Sequence, residues 1–522
     1  MRALLLLLLA ACQAAPASLE AREDPLVPVR GAVLTRPRPS GAGGVLLEGT
    51  RERGDASVPV TLWSGPGGAC VLSVGAGSST LRRGFDGQVA WTGDGRGATR
   101  PLHLGSGEVQ RMDLWLRTQQ WVLDPRSAGR WEAVEGAGQD GSLRLRHRGE
   151  GPHAHVTVVV DPVSLLPRRA ELRHLGRVRT LTFEDWEEEG GLSLPMTVTQ
   201  AVDGAPVQVD RFHTRRRLAG ARAQRPPSAP RDATFAGDGG ALARDAVRFD
   251  RGGRAFLRVR LPGDRDAWML LDTGFGSHAI SPDLAAELGL PAAAAVALRG
   301  VGGSGRSDRR RCPRLTLGAL TLADGDMVEL DTSFLSERAG FEVEGVLGAP
   351  LFQRAVVVVD DLRGLVEVWD PSTFDGGALD WQPVRIDGTA PCVLGQVRAS
   401  GEDTPPLWFR LDTGSDDTLT ISRWAVRAHR LEGDRAGLTP RSLVGPFGEL
   451  RGWRRTASVV LLAGSNMGRQ VVTLVRDGAP GPLSDPWIAG NAGTRLLRGR
   501  RVVLDLGAQR LAIVGETERG RP

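Results

Sequence analysis

The sequence Asp-Thr-Gly occurs twice in this chain of 522 residues, and each copy directly follows a mainly apolar run. The two carboxyl groups belong to Asp272 and Asp412, which are 140 residues apart. An Ile-Ser pair follows each copy, beginning at Ile280 and at Ile421. One such triplet in a glycine-rich chain carries little weight, but two in the same local setting indicate a matched pair of acidic groups.

Two carboxyl groups at matched strand ends are what a pair of acids sharing one proton requires. When the two groups lie about 3 Å apart they do not both ionise, so one pKa rises and the other falls. The ionised member can activate a water molecule as a general base, and the protonated member can polarise a carbonyl group. The shared proton belongs to the pair rather than to either residue. This chemistry uses no metal and no cofactor, and we expect neither.

The segments around the two triplets predict two copies of one structural unit. Residues 255–261 and 392–397 alternate apolar and polar positions, and after a turn the chain returns toward a triplet, which is typical of β-hairpins. A short helix is predicted after each triplet, over 282–288 and 422–430. The spacing of the copies is too long for a solenoid repeat, so each copy is expected to be a lobe.

Residues from about 244 to 517 resemble an aspartic protease of the retroviral and pepsin type, with both halves fused in one chain. In that family each triplet supplies one catalytic aspartate, its threonine bonds across to the opposite lobe, and its glycine allows a tight turn. The resemblance therefore implies a catalytic pair with its supporting residues, namely Asp272, Asp412, Thr273, Gly274, Thr413, Gly414 and Ser415.

The resemblance also assigns two further elements. The apolar-apolar-Gly segments 346–348 and 488–490 resemble the strand that crosses behind each catalytic turn. Two glycine-rich segments resemble the flaps over the substrate, and the first of them lacks the lysine and the strand-to-helix setting of a phosphate-binding loop. The flap candidates are Gly300, Val301, Gly302, Gly303, Gly445, Phe447 and Gly448.

One residue departs from the family pattern. The position after Asp-Thr-Gly is usually Ser, Thr or Ala in the relatives, and the second triplet keeps Ser415. The first triplet is followed by Phe275, which is bulky and has no hydroxyl group to offer the carboxylate. The substitution places the catalytic efficiency in doubt rather than the fold.

The first twelve residues predict a lipoprotein signal peptide. An apolar run over 3–11 is too short to span a bilayer, and the sequence ending at Cys12 resembles the bacterial lipobox, whose cysteine is lipidated. The alternative is an ordinary secretory signal with a chance cysteine. Lipid chains would hold a soluble body at a membrane. Since Gln13 rather than Asp follows the cysteine, we expect attachment to the outer membrane of a bacterial cell envelope, facing the periplasm or the cell surface.

Residues 40–215 predict an N-terminal β domain. The hairpin around 161–194 resembles one found in outer-membrane lipoprotein carriers, which implies an antiparallel half-barrel-like sheet whose apolar concave face takes a lipid or a peptide. A plain β scaffold that positions the protease is the alternative. The segments with strand character are 58–63, 70–74, 88–92, 142–148, 155–160, 168–173, 178–183 and 195–201.

The predicted organisation is completed by a linker at 220–245 and by protease lobes at 246–375 and 376–517. The fold class is therefore mostly β with short helices, which suits 69 glycines and 33 prolines.

The net charge of +5 is spread among interspersed acids, so we expect no nucleic-acid partner. Cys312 and Cys392 could form a disulfide in an oxidising compartment or remain buried thiols.

Taken together, these patterns predict a lipid-anchored aspartic endopeptidase. Its partners are a peptide or protein substrate and the membrane, and a monomeric protease unit is expected because one chain supplies both aspartates. The alternative is a non-catalytic peptide- or lipid-binding lipoprotein built on a protease-like fold. A third hypothesis is that the N-terminal domain restrains the protease as a pro-region.

Overall fold

A computed structural model describes residues 24–34, 44–124, 130–134, 142–148, 155–189, 191–218, 225–228, 230–300, 303–434, 436–445, 448–476 and 482–515. Strands account for 54% and helices for 15%, which confirms the predicted mostly-β fold. The predicted signal peptide and Cys12 lie outside the described residues. Within the described part of the chain, no helix is both long enough and apolar enough to cross a membrane.

The N-terminal part of the chain forms one antiparallel sheet of thirteen strands with three helices. The strands are β1 (Gly44–Arg53), β2 (Ala56–Ser64), β3 (Cys70–Val74), β4 (Leu81–Phe85), β5 (Ala90–Asp94), β6 (Thr99–Leu102), β7 (Trp131–Ala133), β8 (Leu143–Arg148), β9 (His155–Val160), β10 (Pro167–His174), β11 (Arg177–Glu189), β12 (Leu192–Val202) and β13 (Ala205–Leu218). The helices are α1 (Val27–Val33), α2 (Leu104–Thr118) and α3 (Gln120–Leu123). Each strand predicted from the sequence overlaps one of these strands, whereas α2 was not predicted.

The sheet curves around α2. Its strand order is β6-β5-β4-β3-β2-β1-β13-β12-β11-β10-β9-β8-β7, and α2 contacts strands from β2 to β6 on one arm and β10 and β12 on the other. In a flat sheet β5 and β10 would lie about 38 Å apart at the usual strand spacing. A helix of 15 residues is only about 22 Å long. The two arms therefore bend toward each other and enclose the helix.

The enclosed face of the sheet is filled by aromatic side chains. Trp115 of α2 and Trp121 of α3 are buried, and Phe85 of β4 packs edge-on against Trp115 with ring centroids 5.7 Å apart. Burial of side chains of this size stabilises the fold by roughly 1.5–3 kcal/mol each. The face that was expected to be an open apolar surface is therefore occupied by the helices of this chain.

The first half of the protease-like region contains twelve strands and three helices. Its strands are β14 (Ala233–Phe235), β15 (Gly239–Ala241), β16 (Val247–Phe249), β17 (Ala255–Arg260), β18 (Asp266–Leu271), β19 (His278–Ile280), β20 (Ala292–Gly300), β21 (Gly303–Leu317), β22 (Leu320–Glu329), β23 (Gly345–Leu347), β24 (Val356–Asp360) and β25 (Leu365–Trp369). Its helices are α4 (Pro282–Glu287), α5 (Ser333–Ala339) and α6 (Ala349–Phe352). The hydroxyl of Ser281 caps α4 by accepting the amide of Leu284 at 3.3 Å.

The second half contains eleven strands and two helices. Its strands are β26 (Gln382–Pro383), β27 (Arg385–Asp387), β28 (Ala390–Arg398), β29 (Leu407–Asp412), β30 (Leu419–Ile421), β31 (Thr439–Gly445), β32 (Gly448–Leu462), β33 (Ser465–Val475), β34 (Gly490–Gly493), β35 (Arg501–Asp505) and β36 (Arg510–Val514). Its helices are α7 (Arg423–Ala428) and α8 (Thr494–Leu497).

The two halves share one topology. The hairpin β17–β18 corresponds to β28–β29, and the strand that ends at each triplet pairs in parallel with β23 or with β34. Behind it, β19 runs parallel to β22 and antiparallel to β23, as β30 does to β33 and β34. The repeat in the sequence is therefore also a repeat in three dimensions.

A six-stranded sheet joins the halves. Its order is β15-β25-β24-β35-β36-β26, and β24 and β35 lie side by side in antiparallel register. The main hydrophobic cluster includes buried residues of both halves. Strands β14 and β15, from the segment predicted to be a linker, pair with β22 and with β25. These two strands, which precede the first hairpin in the sequence, therefore extend the sheets of the protease-like region.

The N-terminal unit contacts the second half through the start of α2. The amide of His103 donates to the Ile386 carbonyl at 2.8 Å, and the amide of Ser106 donates to a carboxylate oxygen of Asp387 at 3.0 Å. Leu104 packs in a small apolar cluster with Cys392 of β28 and Ile488. The contact therefore combines polar bonds to β27 with a buried apolar patch.

The cysteines of the described region are thiols. Cys70, Cys312 and Cys392 are all buried and free, so no disulfide joins the last two. Burial raises the pKa of the Cys312 thiol, and it raises that of the Cys70 and Cys392 thiols strongly. Such thiols stay protonated and act as small apolar groups in the core.

Candidate active site

Each Asp-Thr-Gly turn begins where a buried strand ends. The amide of Asp272 donates to the Leu347 carbonyl at 2.9 Å, so β23 holds the end of β18 in place. In the second half Asp412 is the last residue of β29 and is in register with Gly493 of β34. Both aspartates thus project from a strand end that is supported on one side by a parallel strand.

Two threonines connect the turns across the lobes. The hydroxyl of Thr273 donates to the Leu411 carbonyl at 2.6 Å and accepts the amide of Thr413 at 3.1 Å. The hydroxyl of Thr413 donates to the Leu271 carbonyl at 2.9 Å and accepts the amide of Thr273 at 2.9 Å. These four reciprocal bonds are buried, and they fix the distance between the two strand ends.

The two carboxyl groups lie close together, with an oxygen of Asp272 and an oxygen of Asp412 both beside Gly274. The amides of Gly274 and Phe275 donate to one oxygen of Asp272 at 2.7 and 3.1 Å. The amide of Gly414 donates to Asp412 at 3.1 Å. A Cβ atom at position 274 would lie 2.8 Å from Asp412 Oδ1, and one at 414 would collide with the Asp272 carboxylate. Glycine is required at both positions because each carboxylate occupies the space beside the opposite turn.

Burial and mutual repulsion favour a shared proton on this pair. Desolvation raises the pKa of Asp272 well above its ordinary value, and the negative charge of Asp412 raises it further. Desolvation also raises the pKa of Asp412, against the hydrogen bonds from the turn amides and the positive charge of Arg410. One proton is therefore retained by the pair under conditions in which an isolated aspartate is ionised.

The surroundings of the two carboxyl groups differ. Asn491 donates its side-chain amide to Asp412 Oδ2 at 3.1 Å, and Arg410 lies two residues before Asp412 on β29. The matching positions of the first half are Val346 and Leu270, because Leu270 is in register with Val346 as Arg410 is with Asn491. A donor and a positive charge both stabilise an ionised carboxylate, so the asymmetry favours the charge on Asp412.

Asn491 was not among the residues predicted from the sequence. It follows the apolar-apolar-Gly segment 488–490 directly. The strand register matches 346–348 to 491–493, so the segment that crosses behind the second turn is 491–493 and the predicted 488–490 was wrong by three residues. The signal that could have found Asn491 is that the run 488–493 contains two segments ending in Gly, of which the second has a polar residue where the first repeat has Val346.

Phe275 and Ser415 support the turns through their backbone amides. The ring of Phe275 packs against an apolar cluster of the first lobe that contains Phe256, Leu270 and Val346. The amide of Ser415 donates to the backbone carbonyl of Asp412 at 3.2 Å, while its hydroxyl accepts the amide of Asp417 at 3.4 Å. The bulk of Phe275 is therefore accommodated in the apolar cluster, and its amide still bonds the carboxylate.

The predicted flap residues lie at the ends of two hairpins. Gly300 pairs with Gly303 at the end of β20–β21, and Gly445 pairs with Gly448 at the end of β31–β32. Val296 and Leu298 of β20 pack against the same apolar cluster as Phe275. The first hairpin is thereby connected with the turn that carries Asp272. The remaining predicted residues, Val301, Gly302 and Phe447, lie outside the described residues.

Comparisons with known proteins agree with this geometry in the first lobe. Residues 257–351 match the family model described as aspartyl protease, a match that spans less than a fifth of the chain. No curated protein matches the chain. Among solved structures it is similar to the crystal structure of basic 7S globulin from soybean, with 13% identity, 53% of this chain and 95% of that chain covered, and a TM-score of 0.33. A similarity of that size carries no argument about this chain. The family match around Asp272 supports an aspartic protease domain in this protein.

Proposed function

We propose that the protein is an aspartic endopeptidase that hydrolyses peptide bonds with a water molecule activated by Asp272 and Asp412. The observation that carries the proposal is the close approach of the two carboxyl groups on turns that are bonded to each other through Thr273 and Thr413. A purely structural pair of buried carboxyl groups is costly, because two like charges in a desolvated place oppose folding. Such a cost is typical of sites that are retained for chemistry.

In this mechanism Asp412 is the general base and Asp272 carries the shared proton. Asp412 takes a proton from the water, the water oxygen attacks the carbonyl carbon, and Asp272 gives its proton to the carbonyl oxygen. The tetrahedral species then returns a hydroxyl proton to Asp272, the C–N bond breaks, and the amine leaves with the proton held by Asp412. Each cycle consumes one water molecule and restores the protonation state of the pair.

The amide of Asn491 has a defined part in this scheme. Its bond to Asp412 Oδ2 stabilises the ionised base in the resting state, while the turn amides hold each carboxyl group against its own turn. The apolar cluster beside the Asp272 turn, against which Phe275 packs, suits apolar substrate side chains beside the cleaved bond.

The proposal is tested with the chain that lacks residues 1–12, incubated with a mixed peptide library from pH 3 to 8 and analysed by mass spectrometry. Cleavage by the wild type that is lost in both Asp272→Asn and Asp412→Asn is the expected result. Circular dichroism and thermal unfolding verify that the variants are folded. Cleavage that survives either substitution contradicts the mechanism, and a folded wild type without any cleavage supports a peptide-binding module instead.

We further propose that lipid on Cys12 anchors the enzyme to the bacterial outer membrane, as its N-terminal sequence indicates. The full chain is expressed in a bacterium beside Cys12→Ser, and the membranes are separated from the soluble fraction. Wild-type protein in the outer-membrane fraction and the variant in the soluble fraction are expected. Equal distributions of the two proteins would exclude this anchor.

A further inference from the structure

The curved N-terminal sheet encloses charged side chains that the proposed protease chemistry does not use. They come from β1, β4, α2, β11 and β13, and we name them the inner arginine cluster: Arg51, Arg83, Asp113, Arg117, Arg179 and Asp210. All lie on the side of the sheet that faces α2 or on α2 itself. Charged groups in such a place are rare unless they pair or bind a ligand.

The two carboxylates of the cluster are fully engaged by three of its arginines. Asp210 accepts Nε and Nη2 of Arg51 at 2.5 and 2.7 Å, and it accepts Nη1 of Arg117 at 2.7 Å. Asp113 accepts Nε of Arg117 at 3.2 Å and Nη1 of Arg179 at 3.2 Å. Arg117 is 1% exposed at its side chain, whereas Arg179 is 30% exposed, so the cluster reaches solvent on the Arg179 side.

Arg83 is the member without an ionic partner. It stands two positions before Phe85 on β4, and because side chains alternate along a strand, it shares the face on which Phe85 packs against α2. Within the described part of the chain, no carboxylate or hydrogen-bond acceptor contacts its guanidinium. Burial lowers its pKa to about 10, and the charges of Arg179, Arg51 and Arg117 oppose its protonation, against Asp113 alone.

The charges of the cluster do not balance. Four guanidinium groups face two carboxylates, which leaves a surplus of positive charge beside Arg83 and Arg179. Both of these arginines are partly exposed, whereas the other members of the cluster are buried. A desolvated cation is stabilised by an anion that forms hydrogen bonds with it, and the planar guanidinium fork matches the oxygen spacing of phosphate and carboxylate groups.

We propose that the inner arginine cluster binds a small oxyanion group, a phosphate or a carboxylate, between Arg83 and Arg179. Arg51 and Arg117 hold the site in shape through Asp210, and Asp113 orients Arg179. The group is either a free anion or the head of an anionic lipid, since both present the same oxygen atoms. The inference does not depend on the proposed protease activity, because it concerns binding to the N-terminal sheet.

The test uses the full chain carrying Cys12→Ser, titrated with inorganic phosphate at constant ionic strength and followed by thermal unfolding and calorimetry. Arg83→Gln is the test variant. The matched control is Arg82→Gln, which changes the adjacent exposed residue on the opposite face of β4. We expect phosphate to raise the Tm of the wild type and of the control, and affinity to fall by about tenfold in Arg83→Gln, as for one lost charged hydrogen-bonding group. An equal phosphate response in Arg83→Gln and Arg82→Gln would overturn the proposal.

Two further measurements complete the design. Arg83→Lys keeps the positive charge but loses the planar guanidinium fork, so an affinity between those of the wild type and Arg83→Gln is expected. This variant replaces Arg83→Gln if the latter fails to fold.

A short-chain phosphatidic acid below its micelle concentration distinguishes a lipid head group from a free oxyanion. Tighter binding than phosphate, weakened by the same substitutions, assigns a lipid head group; equal binding assigns a free oxyanion. Binding of neither probe to the folded wild type would also overturn the inference.

Discussion

At the residue scale, one difference between the surroundings of the two Asp-Thr-Gly turns is Asn491. Its amide bonds Oδ2 of Asp412, whereas Val346 occupies the matching position of the first half. A hydrogen bond to a charged carboxylate lowers its pKa relative to an unbonded one. The base in the proposed mechanism thus depends on a residue that neither triplet contains.

The substitution Asn491→Ala is therefore expected to raise the pKa of Asp412 and to move the acid limb of the pH profile of kcat/KM to higher pH. On the acid side kcat/KM should fall by up to about tenfold, the effect of one hydrogen bond to a charged group. The measurement is cleavage of one library-derived peptide across pH 3 to 8. A profile of unchanged shape with uniformly lower activity would show that Asn491 acts only on the packing of β34.

Phe275 supplies a second residue-scale prediction. Phe275→Ala removes the half-buried ring but leaves the backbone amide that bonds Asp272, so cleavage should persist. The loss of apolar burial is expected to lower the free energy of unfolding by about 1–2 kcal/mol. Urea denaturation and peptide cleavage on the same preparation test both statements. A folded variant without activity would mean that the ring itself takes part in substrate positioning.

Much of the candidate site could be located from the sequence because it is repeated. The triplets, the helices that follow them and the glycine-rich hairpin ends each occur twice at matched spacing, and the structure brings both carboxyl groups together. Asn491 could not be predicted in this way, because only one copy of the repeat has a polar residue at that position. The inner arginine cluster could not be predicted from the sequence for another reason. Its members come from five separate elements, and only the curvature of the sheet brings them close together.

At the element scale, the threonine bonds determine how the strand ends β18 and β29 face each other. Thr413→Val keeps the shape of the side chain but leaves the buried amide of Thr273 and the Leu271 carbonyl without their partner. We expect the free energy of unfolding to fall by about 3 kcal/mol, since each buried unsatisfied group costs about 1–3 kcal/mol. Thr413→Ser keeps both bonds and serves as the control in urea denaturation. If the Val and Ser variants had the same free energy of unfolding, the prediction would be wrong.

Strands β14 and β15 show that a local sequence pattern does not predict a strand that is stabilised by pairing with a distant part of the chain. The segment 220–245 contains many alanine, arginine, proline and glycine residues and lacks alternation, so it was expected to be a linker. Within it β14 and β15 add to sheets whose other strands lie far along the chain. Pairing with an existing sheet edge stabilises a three-residue strand that has no preference of its own, because the backbone bonds come from the partner.

At the scale of the whole molecule, the contact between the N-terminal unit and the second lobe covers an ionised network under β29. Arg410 bonds Asp387, and Asp485 lies 3.6 Å from the same guanidinium group. Burial, together with the negative charge of Asp387, raises the pKa of Asp485 to about 6. The strand that ends at Asp412 is thus linked electrostatically to the contact with the N-terminal unit.

This network predicts a pH-dependent stability. The folded pKa of Asp485 lies above the unfolded value of about 4, so its contribution is complete below pH 4 and is lost as the pH rises through about 6. Asp485→Asn imitates the protonated form and keeps the oxygen that accepts the Trp487 amide at 2.9 Å. Its free energy of unfolding should exceed that of the wild type above pH 7 by on the order of 2 kcal/mol and match it near pH 4.

Thermal and urea unfolding from pH 4 to 8 provide the measurement for Asp485. Asp264→Asn, in the exposed turn between β17 and β18, is the matched control. A gain for Asp485→Asn that is the same at every pH would contradict the assignment of the raised pKa, because it would not follow the titration of the carboxyl group.

The six-stranded sheet that contains both β24 and β35 ties the two lobes into one polypeptide. In an enzyme assembled from two identical chains, any substitution beside one catalytic aspartate also appears beside the other, because the symmetry axis copies it. Here the copies are separate stretches of one gene product, so Phe275 faces no second phenylalanine, and an asparagine stands beside one carboxyl group only. Fusion therefore permits each acid to evolve its own environment, and dilution cannot separate the two.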